Sequence, residues 1–585
     1  MPEQPRRVLH EADLCVIGGG MAGICAAMAA ARGGARVILM QDRPVLGGNA
    51  SSECRVHVSG ADVHNSNPNL RETGILEELR MENLRRNPNK NFSIWDTVLF
   101  NAVRYQPNLT VLLNCSCFDA TTDGSRIVSV MGWQTTTYTR HEVEATLFAD
   151  CSGDAILAPM VGADFRVGRE ARSEFNESIA PETADRKTMG MTCLFQSREY
   201  DSPQPFEPPS WAYTFPTCDD VPRGARGHRW WTMGYWWVEL GGDYDSIHDT
   251  EMLRDELLKI CYGMWDHIKN HCPCCDADNW ALEWIQFLPA KRESRRYVGD
   301  HLLTQPDIQD NVAFADVVAY GGWPLDDHHP SGFWAVKSGD PPTRFFETPK
   351  PFRIPYRCLY SRNMDNLLFA GRNASCTHAA MSSTRVMGTG CSMGQAVGTA
   401  AALAVAKGVL PRALNDCIGE VQQALICDDA YLPGIRREMP ALTRSATLTA
   451  SGGDPEPVRD GIARPIGKDQ HAWTGSPPGA TLQYEWDEPQ DVKEVSLVLD
   501  SALEKLVAMS LHQHDDQLTH VPESMTRAFT LEGRQGEDWH VLADVRDNYQ
   551  RLVRMQVRGN CDAVRLTLNA TWGAPTTRVF AFVVS

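Results

Sequence analysis

The chain has 585 residues, of which 43% are apolar and 22% charged, and its formal net charge is −18 at pH 7. This length exceeds what one hydrophobic core can hold, so two or three domains are expected. The acidic balance argues against a nucleic-acid partner, because binding a phosphate backbone requires clustered Lys and Arg.

The N-terminal residues contain no apolar core of a signal peptide, and no later run approaches the apolar length of a membrane span. The 18 cysteines are scattered through apolar segments, which is typical of reduced thiols rather than of a disulfide framework. We therefore expect a cytoplasmic protein that does not bind a membrane.

A strand, a helix and a second strand are predicted at the start of the chain. Residues 14–17 are apolar, an Ala-rich helix follows, and residues 37–40 are apolar again. Between the first strand and the helix, Gly18, Gly20 and Gly23 stand at GxGxxG spacing. In this motif the glycines permit a tight turn, a close approach of the backbone to a pyrophosphate, and close packing of the helix on the strand. The predicted dinucleotide site comprises these glycines with Met21 and Ala22.

The residues after the second strand extend this predicted site. An acid that binds the adenosine ribose normally ends such a strand; Gln41 and Asp42 stand here, and either side chain can bond a ribose hydroxyl. The loop that follows is rich in glycine and small polar residues, namely Gly47, Gly48, Asn49, Ser51 and Ser52.

At this point the chain resembles the FAD-dependent oxidoreductases related to the fumarate reductase and succinate dehydrogenase flavoproteins. The resemblance implies that the GGN-type segment lies along the pyrophosphate and the flavin of FAD. Some relatives attach FAD through a histidine in this segment, whereas this chain has Asn49, Ala50 and Ser51. We therefore expect FAD to be held without a covalent bond.

Two helices and two strands are predicted next. The helices span 71–87 and 96–105; the strands span 109–114 and 127–136, with a turn at 121–125, and are expected to form a small antiparallel layer beside the main sheet. Cys117, in this region, is assigned to the cofactor site. An apolar strand at 145–150 then runs into Ser152, Gly153 and Asp154, which resembles the second FAD motif of the family.

The chain from 166 to 354 is irregular and aromatic-rich, and we interpret it as an inserted α+β substrate domain. Its tryptophans supply core or line a sugar pocket, and both interpretations stay open for Trp211, Trp230, Trp231, Trp236, Trp237, Trp280 and Trp284. Segments 291–300 and 319–330 resemble a carbohydrate-associated branch of the family. The first carries Arg295, a candidate substrate residue; that this segment is only a solvated charged face is an equal alternative. The second presents Trp323, Asp326 and His328 on a loop bounded by Gly and Pro, as an active-site wall requires.

Cysteines and histidines are concentrated between 261 and 275. They are Cys261, His267, His271, Cys272, Cys274 and Cys275. The Cys-Pro-Cys-Cys run lacks the two paired knuckles of a closed zinc site, so we expect reduced thiols and no metal.

A further strand–helix pair follows the middle region. An apolar strand at 366–370 ends at Gly371 and Arg372, and a small-residue helix begins near Gly388. This resembles the C-terminal FAD motif, in which the helix N-terminus points at the flavin pyrimidine and its dipole stabilises the anionic reduced flavin. Met387, Gly390 and Gln395 are assigned to the cofactor site.

The last part of the chain alternates like an antiparallel β-sandwich. A helical stretch at 414–432 closes the flavoprotein, the polar passage at 436–470 is predicted to be a linker, and short strands with turns between them follow from 472. Their order resembles a discoidin-like or galactose-binding-like jelly roll. Such modules bind sugars in some proteins and act as packing or dimer elements in others.

The predicted fold is an α/β protein with a two-dinucleotide-binding, Rossmann-like FAD domain of the glutathione reductase and fumarate reductase type. It comprises residues 1–165 and 355–435, with the substrate domain at 166–354 and the sandwich at 471–585. The expected cofactor is non-covalent FAD. The expected partner is a small molecule, a sugar or glycoside; the electron acceptor is unknown, and a homo-oligomer stays open.

The function predicted from the sequence is oxidation of a hydroxyl on a carbohydrate-like substrate, with hydride transfer to flavin N5. His378 is the first candidate for the base and His328 the second, with Asp326 orienting an imidazole, because the pKa of histidine lies near working pH. Arg385 is expected to hold substrate oxygens or balance reduced-flavin charge, and Trp323 to stack on a sugar face. His57, between two valines, is interpreted as a satisfied strand residue.

Two alternatives stay open. One is reduction or desaturation next to a carboxylate, as in the fumarate reductase relatives, with His378 and Arg385 clamping the acid. The other is a carbohydrate-binding protein that acts through the sandwich.

Overall fold

The computed structural model describes residues 5–222, 236–510 and 517–585. The predictions on Trp230 and Trp231 lie outside the described residues. The N-terminal part of the chain contains β1 Arg6–Ile17, α1 Met21–Arg32, β2 Val37–Met40, α2 Ile75–Arg86, α3 Phe92–Arg104, β3 Leu109–Leu112, β4 Cys115–Asp123, β5 Arg126–Gln134, β6 Thr139–Asp150 and α4 Leu157–Val161.

The remaining elements are short in the middle of the chain and longer toward its end. The middle contains β7 Phe165–Arg166, α5 Arg172–Phe175, β8 Met191–Thr192, β9 Phe195–Glu199, β10 Glu239–Leu240, α6 Thr250–Asp266, β11 Trp280–Ile285, β12 Ala290–Lys291, β13 Arg296–Tyr297, α7 Gln305–Gln309, β14 Val317–Gly321, β15 Leu325–His328, β16 Thr343–Phe346 and β17 Phe352–Pro355. The last part contains β18 Leu367–Phe369, α8 His378–Thr384, α9 Met387–Lys407, α10 Ile418–Cys427, α11 Ala441–Ser445, β19 Thr447–Ala450, β20 Trp473–Gly475, β21 Ala480–Leu499, β22 Thr526–Gln535, β23 Asp538–Val545, β24 Leu552–Thr571 and β25 Thr577–Val584.

One seven-stranded sheet organises the N-terminal part. Its order is β3–β2–β1–β6–β5–β4, and β18 also pairs with β6. The β1–β2, β2–β3, β1–β6 and β6–β18 pairs are parallel, whereas β4 and β5 are antiparallel to their neighbours. Because β18 follows the whole middle region, the sheet is built from two distant parts of the chain.

The predicted antiparallel layer differs from the observed one. β3 is not part of it, because β3 pairs in parallel with β2, with Leu109 opposite Val37. Its place is taken by β4, a strand that the sequence pattern missed, since most of its residues after Cys117 are exposed and lack a continuous apolar alternation. The helix predicted from residue 71 begins instead at Ile75.

Helices α1 and α9 pack against each other through glycines. A Cβ on Gly394 would lie 2.1 Å from the carbonyl oxygen of Ala22, and one on Gly398 would lie 2.1 Å from that of Ala26. The Gly/Ala composition of both helices therefore follows from close backbone contact. Within the described ranges, no single helix is long and apolar enough to cross a membrane; α9 and the segment to Cys427 pass that test only as a pair bent by 89°.

Among the described residues, the middle region forms five small antiparallel sheets; those of β8–β12 pack around an apolar cluster of this region, whereas β14, β15 and β17 contribute to the core of the N-terminal part. Trp237 and Trp265 are buried in this cluster, and Trp236 and Trp280 pack against it from its edge. Trp211 is 50% exposed. Trp237 thus supplies core, whereas both interpretations stay open for the partly buried Trp236, Trp280 and Trp284.

The C-terminal strands form an antiparallel sheet of order β20–β25–β21–β24–β22–β23, with β19 paired to β21, around one apolar core. This arrangement is consistent with a β-sandwich. The predicted linker at 436–470 is corrected in part, because α11 and β19 lie within it and β19 pairs with β21.

Buried arginines join the C-terminal unit to the N-terminal part. Arg71 pairs with Glu77 at 2.7 Å and donates to the carbonyl oxygen of Ser501 at 3.0 Å. Arg551 pairs with Asp429 at 2.9 Å. Because such groups are costly to bury unless fully bonded, these contacts fix the C-terminal unit beside α2.

Candidate functional site

The GxGxxG turn between β1 and α1 has the geometry expected of its glycines. Gly18 has φ +97°, and a Cβ on Gly23 would lie 1.8 Å from the carbonyl oxygen of Gly18. A Cβ on Gly20, by contrast, would meet no atom within 4 Å. The turn therefore needs glycine at 18 and 23 for the fold itself, while Gly20 leaves open space before the N-terminus of α1. Met21 and Ala22 begin this helix.

The two candidates for the ribose contact separate in the structure. The side-chain oxygen of Gln41 accepts a hydrogen bond from the Gly19 N–H at 2.7 Å, and its amide donates to the carbonyl of Val45 at 3.2 Å. Gln41 is thus committed to holding the glycine turn. Asp42 is exposed and is the residue left to meet a ribose.

The GGN segment lies against the glycine turn. Gly47 and Gly48 have φ +105° and +57°, and the Gly47 N–H donates to the carbonyl of Gly19 at 2.8 Å. The amide of Asn49 donates to the carbonyl of Lys291 at 3.1 Å. Ser51 is buried, and Ser52 donates its N–H to Asp96.

The second predicted motif is held by two cations from distant segments. Asp154 pairs with Arg372 at 2.7 Å and with Lys291 at 2.8 Å. Burial alone would raise the pKa of Asp154, but these two cations outweigh it and hold the pKa below its ordinary value. A Cβ on Gly153 would meet the Arg372 guanidinium at 2.8 Å, so Ser152, Gly153 and Arg372 form one surface beside Gly371.

The residues assigned around the N-terminus of α9 fall into two groups. Met387 and Gly390 lie in its first turn, and a Cβ on Gly390 would lie 3.6 Å from Gly371. Gln395 lies two turns further on; its side-chain oxygen accepts from the Ile75 N–H at 3.0 Å. Gln395 therefore caps α2 instead of facing the glycine turn. Cys117 lies buried in β4, where burial raises the pKa of its thiol to about 12.

His378 is held by carboxylates at both ring nitrogens. Nδ1 lies 2.8 Å from Glu293 and Nε2 lies 3.1 Å from Asp327, while the backbone N–H donates to Glu170 at 2.8 Å. Burial alone lowers the pKa of an imidazole, but Glu293 and Asp327 outweigh burial and raise the pKa of His378 to about 10. The ring is an imidazolium at neutral pH and has no lone pair to accept a proton.

His328 is held in the same way on β15. Its Nδ1 lies 2.6 Å from Glu239 and its Nε2 lies 3.3 Å from Asp326, which Arg385 also contacts at 3.0 Å. Glu239 and Asp326 outweigh burial and raise the pKa of His328. The four predicted catalytic residues are thus brought to one strand and the helix beside it, but neither histidine is poised as a base.

We call these residues and their partners the ion-pair cluster. Every cation in it is bonded to at least one carboxylate. Its members are the carboxylates Glu170, Glu239, Glu293, Asp326 and Asp327 and the cations Arg292, Arg296, His328, His378 and Arg385. With both imidazoles charged, these five carboxylates face five cations. Arg166 also lies 3.7 Å from Glu170, but it is partly exposed and paired with Glu174 at 2.7 Å.

Comparison with known proteins identifies the cofactor-binding part. The family model of the FAD dependent oxidoreductases matches residues 13–425. The chain belongs to this family. No curated protein sequence matches the chain.

Solved structures of small carbohydrate-binding modules also align with about a quarter of this flavoprotein. The family 32 module of Streptococcus pneumoniae EndoD is 13% identical and covers 24% of this chain and 94% of its own, with a TM-score of 0.19. A Clostridium perfringens module, CpGH89CBM32-6, is 12% identical and covers 25% and 98%, with a TM-score of 0.18. A chitosan-binding module from Paenibacillus sp. IK-5 is 14% identical and covers 24% and 95%, with a TM-score of 0.18. A likeness at these scores carries no argument about the fold or a ligand here.

The residues around the glycine turn fit FAD. The open space at Gly20 lies where a pyrophosphate would meet the N-terminus of α1, whose N–H groups and dipole favour an anion. The Nε1 of Trp323 and the Nε of Arg385 are buried donors without a hydrogen-bond partner among the described residues. Both lie where a ligand is predicted, so a bound molecule would satisfy them.

Sequence reasoning missed a histidine pair in the loop after the GGN segment. His57 is not a strand residue, because residues 55–60 are irregular. Its Nε2 lies 2.8 Å from the Nε2 of His64, whose ring meets Trp323 edge-on at 5.2 Å between centroids. Val63, His64 and Asn65 have φ values of +45°, +50° and +68°. A left-handed valine is strained, and such strain is concentrated at functional sites.

The predicted substrate residue Arg295 lies elsewhere. Its guanidinium stacks over Phe165, with 5.6 Å to the ring centroid. The neighbouring Arg292 instead pairs with Glu239 at 3.4 Å. The charge pattern of segment 291–300 predicted a functional arginine, but the backbone places Arg292, and not Arg295, in the ion-pair cluster.

Proposed function

We propose that this flavoprotein oxidises a hydroxyl group of an uncharged, carbohydrate-like substrate. The observation that carries the proposal is the charge balance of the ion-pair cluster. A dicarboxylate needs cations that are not already neutralised, whereas each Arg and His of the cluster is bonded to a carboxylate. Carboxylate oxygens beside an aromatic face are suited to hydroxyl groups and a sugar ring. The same balance disfavours the fumarate-reductase-like alternative.

FAD, when bound, supplies the hydride acceptor. Asp42 would meet its ribose, Gly20 and the first turn of α1 its pyrophosphate, and the first turn of α9 its pyrimidine. The binding is proposed to be non-covalent.

Oxidation of an alcohol also requires a group that takes the hydroxyl proton, and we assign this role to His64. The His64 Nε2 lies 2.8 Å from the His57 Nε2, and a neutral imidazole has one N–H and one lone pair. In the proposed arrangement the His64 Nε2–H donates to His57, which leaves the lone pair of His64 on Nδ1 to take the proton. His378, whose pKa is raised to about 10, keeps its proton and acts as a fixed cation, and Glu239 and Asp326 raise the pKa of His328 in the same direction. Ser59, 3.3 Å from the His64 Nε2, and His57 hold the ring in place. Trp323 would pack on the substrate beside it.

The test is anaerobic flavin bleaching with panels of sugars, glycosides and carboxylates. We expect bleaching by members of the sugar panel. The His64→Gln variant should bleach about 10²- to 10⁴-fold more slowly, the usual contribution of a general base, with FAD still bound. His248→Gln is the matched control, because His248 is exposed and pairs only locally with Asp245.

Two results would contradict the proposal. Bleaching by a saturated dicarboxylate alone, or reoxidation of the reduced flavin by an unsaturated dicarboxylate, would favour the alternative chemistry. A wild-type rate in the His64 variant would place the proton acceptor elsewhere.

A further inference from the structure

A cluster of thiols and one imidazole lies in the middle region, apart from the ion-pair cluster. Cys218 lies in a single 3₁₀ turn, Cys218–Asp220, and His267 begins a π-helical turn, His267–His271, that continues α6. Cys272 follows this turn directly. One ligand atom from each of Cys218, His267 and Cys272 lies within 4.8 Å of the other two. Residues 54 positions apart in the chain therefore converge on one point.

The imidazole of His267 is oriented as a metal ligand is. Its Nδ1 lies 2.7 Å from the carbonyl oxygen of Phe215. A carbonyl oxygen only accepts, so Nδ1 carries the hydrogen and, in the neutral ring, Nε2 carries the lone pair and is the nitrogen left to bind a metal. Zinc-bound histidines have their other ring nitrogen held in this way.

The sulfur geometry separates a metal site from a disulfide. The Sγ atoms of Cys218 and Cys272 are 3.8 Å apart. A disulfide requires about 2.05 Å, whereas two thiolates at about 2.3 Å from one tetrahedral zinc lie about 3.8 Å apart. The backbone N–H of Cys274 donates to the Cys272 sulfur at 3.3 Å, which fixes the position of that sulfur.

The fourth ligand is not among the three converging atoms, and Cys275 is the candidate for it. Cys272 and Cys275 have the Cys-x2-Cys spacing of a zinc knuckle. Both Cys275 and Cys274 interact electrostatically with Cys218, but the Cys275 side chain is partly buried whereas that of Cys274 is exposed. With Cys218 and His267, this completes a set of three sulfurs and one nitrogen.

We propose that Cys218, His267, Cys272 and Cys275 bind one Zn²⁺ in a closed, structural Cys₃His site. Four protein ligands leave no open position for a water or substrate, so the site has no catalytic role. It ties the end of α6 to the 3₁₀ turn Cys218–Asp220. The sequence alone argued against a metal, because the knuckle at 272–275 has no second knuckle near it; the fold supplies Cys218 and His267 in its place.

The experiment measures metal content in the FAD-loaded, full-length protein purified without chelators. Mass spectrometry of the metals should find about one zinc per chain, and mercurial titration should release it to a chromogenic chelator. Co²⁺ exchanged into the wild-type protein should give intense thiolate-to-metal charge-transfer bands. These wild-type measurements do not depend on whether a variant folds or on the identity of the substrate.

Variants then assign the ligands. Cys218→Ser and Cys275→Ser should each lose most of the zinc, while Cys274→Ser, the matched control, should keep it. FAD content shows that the flavoprotein part is intact. A Cys218–Cys272 disulfide would overturn the proposal. So would zinc-free protein in which Cys218, Cys272, Cys274 and Cys275 all react freely with iodoacetamide. Loss of zinc in Cys274→Ser with retention in Cys275→Ser would overturn the assignment of the fourth ligand.

Discussion

The protonation of His378 is the point at which the structure departs furthest from the sequence-based mechanism, and it can be tested by removing one carboxylate. Asp327 lies 3.1 Å from the His378 Nε2, and together with Glu293 it raises the imidazole pKa to about 10. An opposite charge at this distance shifts a pKa by about 1–3 units. The Asp327→Asn variant should therefore bring the pKa of His378 down to about 7–9.

The assay is an NMR titration of protein labelled with ¹³C at the histidine Cε1 position. His378→Gln assigns the signal by its loss. In the wild type the signal should stay at the imidazolium shift from pH 6 to at least about 9, and in Asp327→Asn it should titrate within this range.

The matched control changes the neighbouring carboxylate. Successive side chains of a strand point to opposite faces, and Asp326 contacts His328 at 3.3 Å. Asp326→Asn should lower the pKa of His328 and leave that of His378 nearly unchanged. A wild-type His378 that titrates near pH 6.5, or an Asp327→Asn variant with an unchanged titration, would refute the reasoning.

The same pKa has a consequence for stability. Because the folded-state pKa of His378 is raised above its unfolded value, its stabilisation is fully present below about pH 6.5 and is lost as the pH rises toward about 10. The difference in unfolding free energy between the wild type and His378→Gln should shrink over this range.

Two further outcomes follow from the cofactor side of the molecule. Gly20→Val should abolish FAD uptake, measured by the visible spectrum, without loss of the folded state, because the new side chain enters open space. Gly419→Ala, which also places a side chain in open space but on α10, is the control. An unchanged FAD affinity in Gly20→Val would contradict the proposed position of the pyrophosphate. Burial raises the pKa of Glu72 to about 7, so the unfolded state loses its proton first and stability should fall between about pH 4.5 and 7. In Glu72→Gln this part of the pH dependence of the melting temperature should flatten, and an unaltered profile would assign it to other groups.

The sequence by itself determined the features that depend on local backbone demands. Gly18 and Gly23 are required by a positive φ and by a contact of 1.8 Å, and such demands leave a fixed spacing in the chain. Strands β1, β2 and β6 and helices α1 and α9 were predicted for the same reason, since apolar runs and small-residue patterns report burial directly. Membership in the FAD-dependent family was predicted from these motifs and is confirmed by the match over residues 13–425.

Only the tertiary structure decided which side chains meet and which protonation states result. His378 and His328 were selected as bases from their position in the chain, but their pKa values depend on Glu293 and Glu239, which lie on other segments. Cys218 reaches Cys272 in the same way, across a separation that no spacing rule covers. A pKa and a ligand set are properties of several groups held within about 3–4 Å, and contacts between distant segments at that scale leave no periodic signal in the sequence.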